Sequence, residues 1–200
     1  FIILTQVAGE AFIKNGSADI VALGRSLLTD PDFANKCADG HCCDVRTCMM
    51  CNKGCTDNIQ NRAFLSCVLN AENGYETSRQ ITPAVTAKRI AIIGAGIAGL
   101  EAARVAALRG QQVTIFEKSL QIGGQLLIAS VPPRKEEMIR SINYYLNVLP
   151  ELSVTFRLGQ EFTGKDYDSF DEVIVATGAT NAIIPVPGKD HPTVTSAWDI

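Results

Sequence analysis

Four cysteines that could bind a metal lie close together in the chain: Cys48, Cys51, Cys55 and Cys67. Their spacing, C-x2-C-x3-C-x11-C, lets one loop wrap the first three thiolates around a centre that the fourth closes from a second segment. Such thiolates bind a soft metal ion or an iron–sulfur cluster. The spacing favours a cubane cluster, because zinc ribbons usually pair two C-x2-C units and the second is missing. Structural zinc and no metal at all remain alternatives.

A glycine-rich loop follows the cysteines, with Gly94, Ala95, Gly96 and Gly99 in the G-x-G-x-x-G pattern. A strand is predicted before it and a helix after it, the setting in which such a loop binds the pyrophosphate of a dinucleotide. Glu117, 18 residues after Gly99, ends the second predicted strand and could accept hydrogen bonds from ribose hydroxyls. An acid there disfavours a 2′-phosphate, so FAD or NAD is expected rather than NADP. The glycines do not choose between the two.

Gly24 and Arg25 form a third candidate site, between an apolar run and a predicted helix. Backbone N–H groups and a guanidinium can clamp a phosphate, and TIM barrels often place such a clamp after their last strands. Without other evidence, an arginine at such a position is more often a solvated loop residue than a phosphate ligand.

The elements that must position these residues alternate between helix and strand, which predicts an α/β fold. Before the cysteines we expect a helix over residues 8–14, a buried parallel strand over 18–23, and a helix with Asp30 as N-cap and Pro31 at its first position. The cysteine segment, 41–67, is too irregular for a regular element, and residues 70–88 resemble a linker.

From residue 89 a second α/β unit is predicted. Its strands are expected over residues 89–93, 113–116, 153–158 and 172–176, and its helices over 98–108 and 135–149.

Composition argues against several classes of protein: nucleic-acid-binding, membrane-spanning and secreted ones. The chain has 200 residues, 46% of them hydrophobic, and a net charge of −3, so no broad basic face for nucleic acid is expected. The apolar runs are too short to span a bilayer. An odd number of cysteines, seven, together with the glycine loop favours the reducing cytoplasm over secretion and disulfides. Cys37, Cys42 and Cys43 are expected to be bystanders.

The chain resembles the iron–sulfur members of the old yellow enzyme family in three motifs and in their order. These are the run D-x-V-x-x-G-R-x4-D-P that begins at Asp19, then the four cysteines, and then the glycine loop. The members of that group include 2,4-dienoyl-CoA reductase, 2-enoate reductases, NADH oxidases and trimethylamine dehydrogenase. The resemblance implies the C-terminal end of an FMN-binding TIM barrel (1–40), an iron–sulfur cluster segment (41–70), a linker (71–88) and an incomplete Rossmann-like FAD/NAD(P)-binding domain (89–200). The chain is then expected to be part of a longer polypeptide that supplies an N-terminal barrel and a C-terminal nucleotide domain.

The resemblance also implies roles for individual residues. Gly24 and Arg25 would hold the FMN phosphate, and the four cysteines would hold a 4Fe–4S cluster close to Arg46. The residues that would contact FAD are Gly94, Ala95, Gly96, Gly99, Glu117, Lys118, Gly124, Gln125, Thr177 and Gly178. No catalytic residue is assigned, because the family's proton donors lie upstream in the barrel. One departure is Asn70-Ala71, where the family usually has Asn-Pro.

The implied activity passes electrons from NAD(P)H through FAD, the 4Fe–4S cluster and FMN to an activated C=C bond of a small-molecule substrate of the enoate or dienoyl-CoA type. These residues by themselves are expected to be inactive. Two alternatives remain. One is an amine dehydrogenase with ADP in the glycine-loop domain, and the other is a non-catalytic electron-transfer module.

Overall fold

A four-stranded parallel sheet forms the centre of the fold in the computed structural model, which describes residues 4–182, 184–196 and 198. The strand order is β3-β2-β1-β4. The strands are β1 Arg89–Ile93, β2 Gln112–Glu117, β3 Thr155–Leu158 and β4 Glu172–Val175. In the centre of the sheet, Ile92 of β1 pairs with Ile115 on one side and Ile174 on the other. The predicted α/β unit from residue 89 is confirmed, with strand ends shifted by one or two residues.

Helices cover the sheet and bury its apolar side chains. They are α5 Ile97–Leu108, α6 Gln125–Ala129 and α7 Glu137–Glu151. Residues Ile92, Ile115, Leu100 and Leu149 are fully buried in one core that α5 and α7 share with the strands. The central strand β1 is a continuous apolar run after Arg89, with Ile90, Ala91 and Ile92 buried, as is typical of a strand inside a parallel sheet.

The residues before the sheet form short helices joined by turns. These are α1 Gln6–Lys14, α2 Arg25–Thr29, α3 Phe33–Ala38 and α4 Thr56–Gln60, with a 3-10 turn at Cys42–Asp44. A second 3-10 turn, Gly164–Ser169, lies between β3 and β4. The predicted N-cap at Asp30 is wrong, since α3 begins after Asp32. The carboxylate of Asp30 instead accepts hydrogen bonds from the backbone N–H groups of Asp32 (3.1 Å) and Arg46 (2.8 Å). It therefore joins the α2–α3 turn to the cysteine segment.

The parallel strand predicted over residues 18–23 is also wrong: that segment is an irregular loop, and Ile20 is 85% exposed. A strand needs a neighbour to accept its backbone hydrogen bonds. Every named strand in the described part of the chain belongs to the sheet that contains Arg89–Ile93. The barrel thus stays a prediction, as do the domain limits. None of the described helices combines the length and apolar character needed to cross a bilayer.

Candidate cofactor-binding site

The four predicted metal ligands line one and the same cavity. Cys48 is buried, and Cys51, Cys55 and Cys67 are partly exposed. All four carry free thiols, as do the three other cysteines. The structure therefore brings together side chains that the sequence spreads over 20 positions, from Cys48 to Cys67.

The loop from Cys48 to Cys55 curves because two of its residues have left-handed backbone angles, Met50 (φ 56°) and Asn52 (φ 60°). The N–H group of Met50 donates to the Sγ atom of Cys48 at 3.4 Å. At Gly54 the loop touches the segment that carries the fourth cysteine, and an added Cβ atom would lie only 2.5 Å from the carbonyl oxygen of Ser66. Only glycine fits this contact.

Zinc and an iron–sulfur cluster require different arrangements of the four thiolates. Four thiolates around one zinc ion lie about 3.8 Å apart, given a Zn–S distance of about 2.3 Å. Among the residues that the structure describes, no three Cys, His, Asp or Glu side chains are gathered closely enough to hold a single metal ion. A cubane is larger and keeps its thiolates further apart, with iron and sulfide between them. A metal site of either kind at these cysteines stays a prediction.

Helix α2 forms one wall of this cavity through its residues Arg25, Leu28 and Thr29. The guanidinium of Arg25 donates to the side-chain oxygen of Asn52, between the second and third cysteines. Thr29 Oγ1 lies 3.6 Å from the Sγ atom of Cys67. The structure thus places the predicted phosphate-binding arginine beside the cysteine loop, and Gly24 precedes it as the N-cap residue of α2.

The glycine loop has the close contacts that its sequence predicts. At Gly94 (φ 105°), an added Cβ atom would lie 2.4 Å from the carbonyl oxygen of Ala176. At Gly99 it would lie 2.0 Å from the carbonyl oxygen of Gly94. At Gly96 it would meet nothing within 4 Å. Gly94 and Gly99 are therefore required by packing, whereas Gly96 leaves open space at the N-terminus of α5 for a ligand.

Glu117 is the last residue of β2, and its carboxylate lies against the glycine loop. Its oxygens accept hydrogen bonds from the N–H groups of Ala95 and Ser119, each at 2.8 Å. A cavity of about 700 Å³ opens beside it. The predicted residues Gly94, Glu117, Lys118 and Thr177 line this cavity.

Among the lining residues of this cavity that were not predicted, three come from one segment: Gln160, Glu161 and Phe162. They follow β3, the strand next to β2. Ligands of open α/β sheets bind outside the carboxyl ends of the strands, so the position of these residues after the third predicted strand could have identified them.

The remaining predicted flavin contacts lie on the other side of the glycine loop. An added Cβ atom at Gly124 (φ 52°) would lie 3.1 Å from the Cα atom of Gly96. The side-chain amide of Gln125 donates to the carbonyl oxygen of Ala179 at 2.7 Å, next to Gly178. The structure therefore groups Gly124 and Gln125 with the glycine loop and the turn after β4.

A buried network of charges connects the cysteine segment to the nucleotide-binding unit. Glu101 of α5 accepts two hydrogen bonds from Arg104, both at 2.8 Å, and one from the hydroxyl of Tyr145 at 2.9 Å. Arg46 lies 3.9 Å from the same carboxylate. Burial opposes ionisation of Glu101, but its two arginines outweigh burial and lower its pKa. Burial, followed by the charge of Glu101, raises the pKa of Tyr145.

Known proteins resemble this chain along nearly all of its length. Bilirubin reductase of Mediterraneibacter gnavus is 54% identical over 99% of the chain, which spans 31% of that relative. The solved 2-naphthoyl-CoA reductase, in complex with 2-naphthoyl-CoA, is 32% identical with a TM-score of 0.91, over 95% of this chain and 29% of its own. The amine oxidase for 6-hydroxypseudooxynicotine of Pseudomonas geniculata is also 32% identical, with a TM-score of 0.84, over 93% of this chain and 30% of its own. The chain thus spans about a third of the length of these relatives.

Residues 88–199 match the family model described as pyridine nucleotide-disulphide oxidoreductase. This match includes the glycine loop, Glu117 and the turn after β4, so it confirms the Rossmann-like domain that the sequence predicts. Such a domain implies FAD and NAD(P)H. The chain therefore belongs to the pyridine nucleotide-disulphide oxidoreductases over these residues and, by its relatives, to the iron–sulfur flavoenzymes of the old yellow enzyme family.

Proposed function

We propose that this chain is the electron-relay part of an NAD(P)H-dependent iron–sulfur flavoprotein that reduces an activated C=C bond of a small molecule. The observation that carries the proposal is the cavity between the four cysteines, one wall of which is the helix that begins at Arg25. The glycine-loop domain lies against the same segment through Arg46. Candidate sites for a cluster and two flavins are therefore joined by direct contacts.

In this proposal, Cys48, Cys51, Cys55 and Cys67 hold a 4Fe–4S cluster, Gly24 and Arg25 hold the FMN phosphate, and the glycine loop with Glu117 holds FAD. When bound, the flavins and the cluster supply the change from two-electron transfer, which needs contact with NAD(P)H or substrate, to the one-electron transfer that can cross a gap. Overall, NAD(P)H and a proton reduce the C=C bond and leave NAD(P)+ and the saturated product.

The chain's own residues prepare these sites. Leu28, Met49, Val68 and Leu69 line the cysteine cavity and keep it apolar, and burial of a cluster shifts its reduction potential. The hydroxyl of Thr29 donates to the carbonyl oxygen of Arg25 at 2.9 Å, and its oxygen lies 3.6 Å from the Sγ atom of Cys67, so it is a polar neighbour of that proposed ligand. Glu117 accepts hydrogen bonds from two backbone N–H groups, so its carboxylate is held in place for the ribose hydroxyls.

The names of two relatives support the reductive direction. Bilirubin reductase and 2-naphthoyl-CoA reductase are both named for reduction of an organic molecule. We propose the following domains for this chain. The end of an FMN-binding barrel covers residues 1–40 and the cluster segment covers 41–70. A linker covers 71–88, and the first part of the FAD/NAD(P)-binding domain covers 89–200. The rest of a cytoplasmic polypeptide would supply the substrate pocket and the remaining nucleotide domain.

An amine dehydrogenase is the second candidate, because an amine oxidase has a similar structure over 93% of the chain. In that case electrons leave the barrel, and ADP replaces FAD beside the glycine loop. Extraction of the bound nucleotides distinguishes the two, since only the reductase would release FAD.

The proposal is tested on the full-length protein, prepared without oxygen. We expect iron and acid-labile sulfide in the ratio of a 4Fe–4S cluster, together with FMN and FAD, and bleaching of both flavins by NADH or NADPH. An enoate or an enoyl-CoA should then restore the oxidised flavin spectrum. Protein that holds zinc and no iron, or iron that NAD(P)H leaves oxidised, would contradict the relay.

A further inference from the structure

We propose that Asn52 is a positioning residue that couples the cluster loop to Arg25, so that the cluster and the FMN phosphate each strengthen binding of the other. This rests on the proposed function, which places FMN at Arg25 and a cluster between the cysteines. The coupling itself is drawn from the contacts of Asn52.

The side chain of Asn52 connects two elements that are distant in sequence. Its Oδ1 atom accepts a hydrogen bond from the guanidinium of Arg25, 27 residues earlier. The same atom lies 3.5 Å from the hydroxyl of Thr56, the first residue of α4. One amide oxygen thus touches α2, which carries the phosphate ligand, and α4, which follows the third cysteine directly.

The backbone of Asn52 explains why this residue type stands between Cys51 and Cys55. With φ 60°, the residue lies in the left-handed region, where asparagine is several-fold enriched among non-glycine residues. Glycine would adopt the same angle but could not reach Arg25. Asparagine therefore satisfies both the curve of the loop and the contact with α2.

The other end of α2 is held by the cysteine segment as well. The side-chain amide of Asn70 donates to the carbonyl oxygen of Leu28 at 3.0 Å, and Thr29 contacts Cys67. Arg25, at the first position of α2, donates a hydrogen bond from its guanidinium to the side chain of Asn52. A cluster that orders the loop would therefore order the guanidinium, whose other N–H groups stay available for phosphate oxygens.

Coupling of this kind is reciprocal. If an assembled cluster raises the affinity for FMN by some factor, FMN raises the affinity for the cluster by the same factor. Coupled sites commonly show factors of about 5 to 150, and we expect about tenfold for one shared hydrogen bond.

The test uses the full-length protein with and without its iron, and measures the dissociation constant of FMN by fluorescence titration. Asn52→Gly keeps the left-handed backbone free of strain and removes the side-chain contacts with Arg25 and Thr56. Asn52→Asp keeps an acceptor oxygen at the same place. Asn61→Ala is the matched control, since its side chain bonds only to the carbonyl oxygen of Asp57.

We expect the cluster to tighten FMN binding about tenfold in the wild-type protein, in Asn61→Ala and in Asn52→Asp, and less than about twofold in Asn52→Gly. A glycine variant with the full wild-type factor would overturn the coupling. So would an aspartate variant that has lost it, which keeps the test decisive if the glycine variant does not assemble. If the iron-free protein unfolds, iron retained at equilibrium against a chelator, with and without FMN, measures the same factor.

Failure of this inference is distinct from failure of the proposed function. A wild-type protein that binds iron and FMN but shows no coupling contradicts only the role of Asn52. A wild-type protein that binds neither contradicts the relay as a whole.

Discussion

The guanidinium of Arg46 donates a hydrogen bond to the hydroxyl of Tyr144 at 3.3 Å and lies 5.0 Å from the centre of the same ring. Arg46 stands two residues before Cys48, and Tyr144 is part of α7 in the nucleotide-binding unit. A second nitrogen of Arg46 donates to the carbonyl oxygen of Leu69, two residues after Cys67. One side chain therefore holds both ends of the cysteine segment against the Rossmann-like domain.

Replacing Arg46 by methionine should destabilise this junction. The variant keeps an apolar stem but loses its hydrogen bonds to the buried hydroxyl of Tyr144 and to the half-buried carbonyl oxygen of Leu69. Glu101 retains Arg104, so we expect a loss of about 1–3 kcal/mol in the free energy of unfolding rather than the larger cost of an isolated buried charge. Urea denaturation measures it.

Arg109→Met is the control for that experiment, because Arg109 is exposed at the end of α5. It should change stability by no more than about 0.5 kcal/mol. Equal midpoints for the two variants would show that Arg46 does not hold the junction.

Removing one proposed cluster ligand should release iron without removing FAD. In Cys55→Ala, three thiolates remain, and the cluster absorbance near about 400 nm should disappear along with the iron. FAD should stay bound, because the glycine loop shares no side chain with the cysteine cavity. Metal analysis and flavin extraction are the measurements.

Cys43→Ala is matched to this variant, since Cys43 lies in the same segment but outside the cavity and is exposed. It should keep its full iron content. An iron loss that is the same in both variants would point to general instability rather than to ligation by Cys55.

Two glycines of the dinucleotide loop should respond differently to alanine. Gly96 has ordinary backbone angles (φ −73°) and open space around it, so Gly96→Ala should fold normally but lower the affinity for FAD at least about tenfold, because the methyl group occupies the approach of the diphosphate. Gly99→Ala would bring a methyl group within 2.0 Å of a backbone oxygen and should cost about 1–3 kcal/mol or more of stability. FAD titration and thermal unfolding separate the two effects. Tight FAD binding by Gly96→Ala would contradict the proposed site.

The thiol of Cys37 should react slowly at neutral pH. Burial, together with the neighbouring thiol of Cys42 and the carboxylate of Asp30, raises its pKa to about 11. Because the thiolate is the nucleophile, its alkylation rate should rise about tenfold per pH unit from pH 8 up to about 11 and then level off. Iodoacetamide labelling followed by peptide mass analysis measures this profile, with the exposed Cys43 as internal reference. A plateau for Cys37 below pH 9 would contradict the raised pKa.

Features that depend only on residues close together in the sequence were predictable from it. The glycine loop between a strand and a helix, the acid at the end of β2 and the loop that carries Cys48, Cys51 and Cys55 are all local patterns. Each follows from backbone freedom at glycine, from an apolar run or from the reach of a few residues. The family model confirms the first two over residues 88–199.

Only the tertiary structure decided which distant residues meet. No spacing rule links Arg25 to Asn52, Arg46 to Tyr144, or Phe162 to the cavity beside Glu117. For the same reason the strand predicted over residues 18–23 failed: an apolar run becomes a strand only where another strand lies beside it. Local propensity is encoded residue by residue, whereas partners are chosen by how the whole chain packs, and the coupling of the two cofactor sites belongs to the second kind.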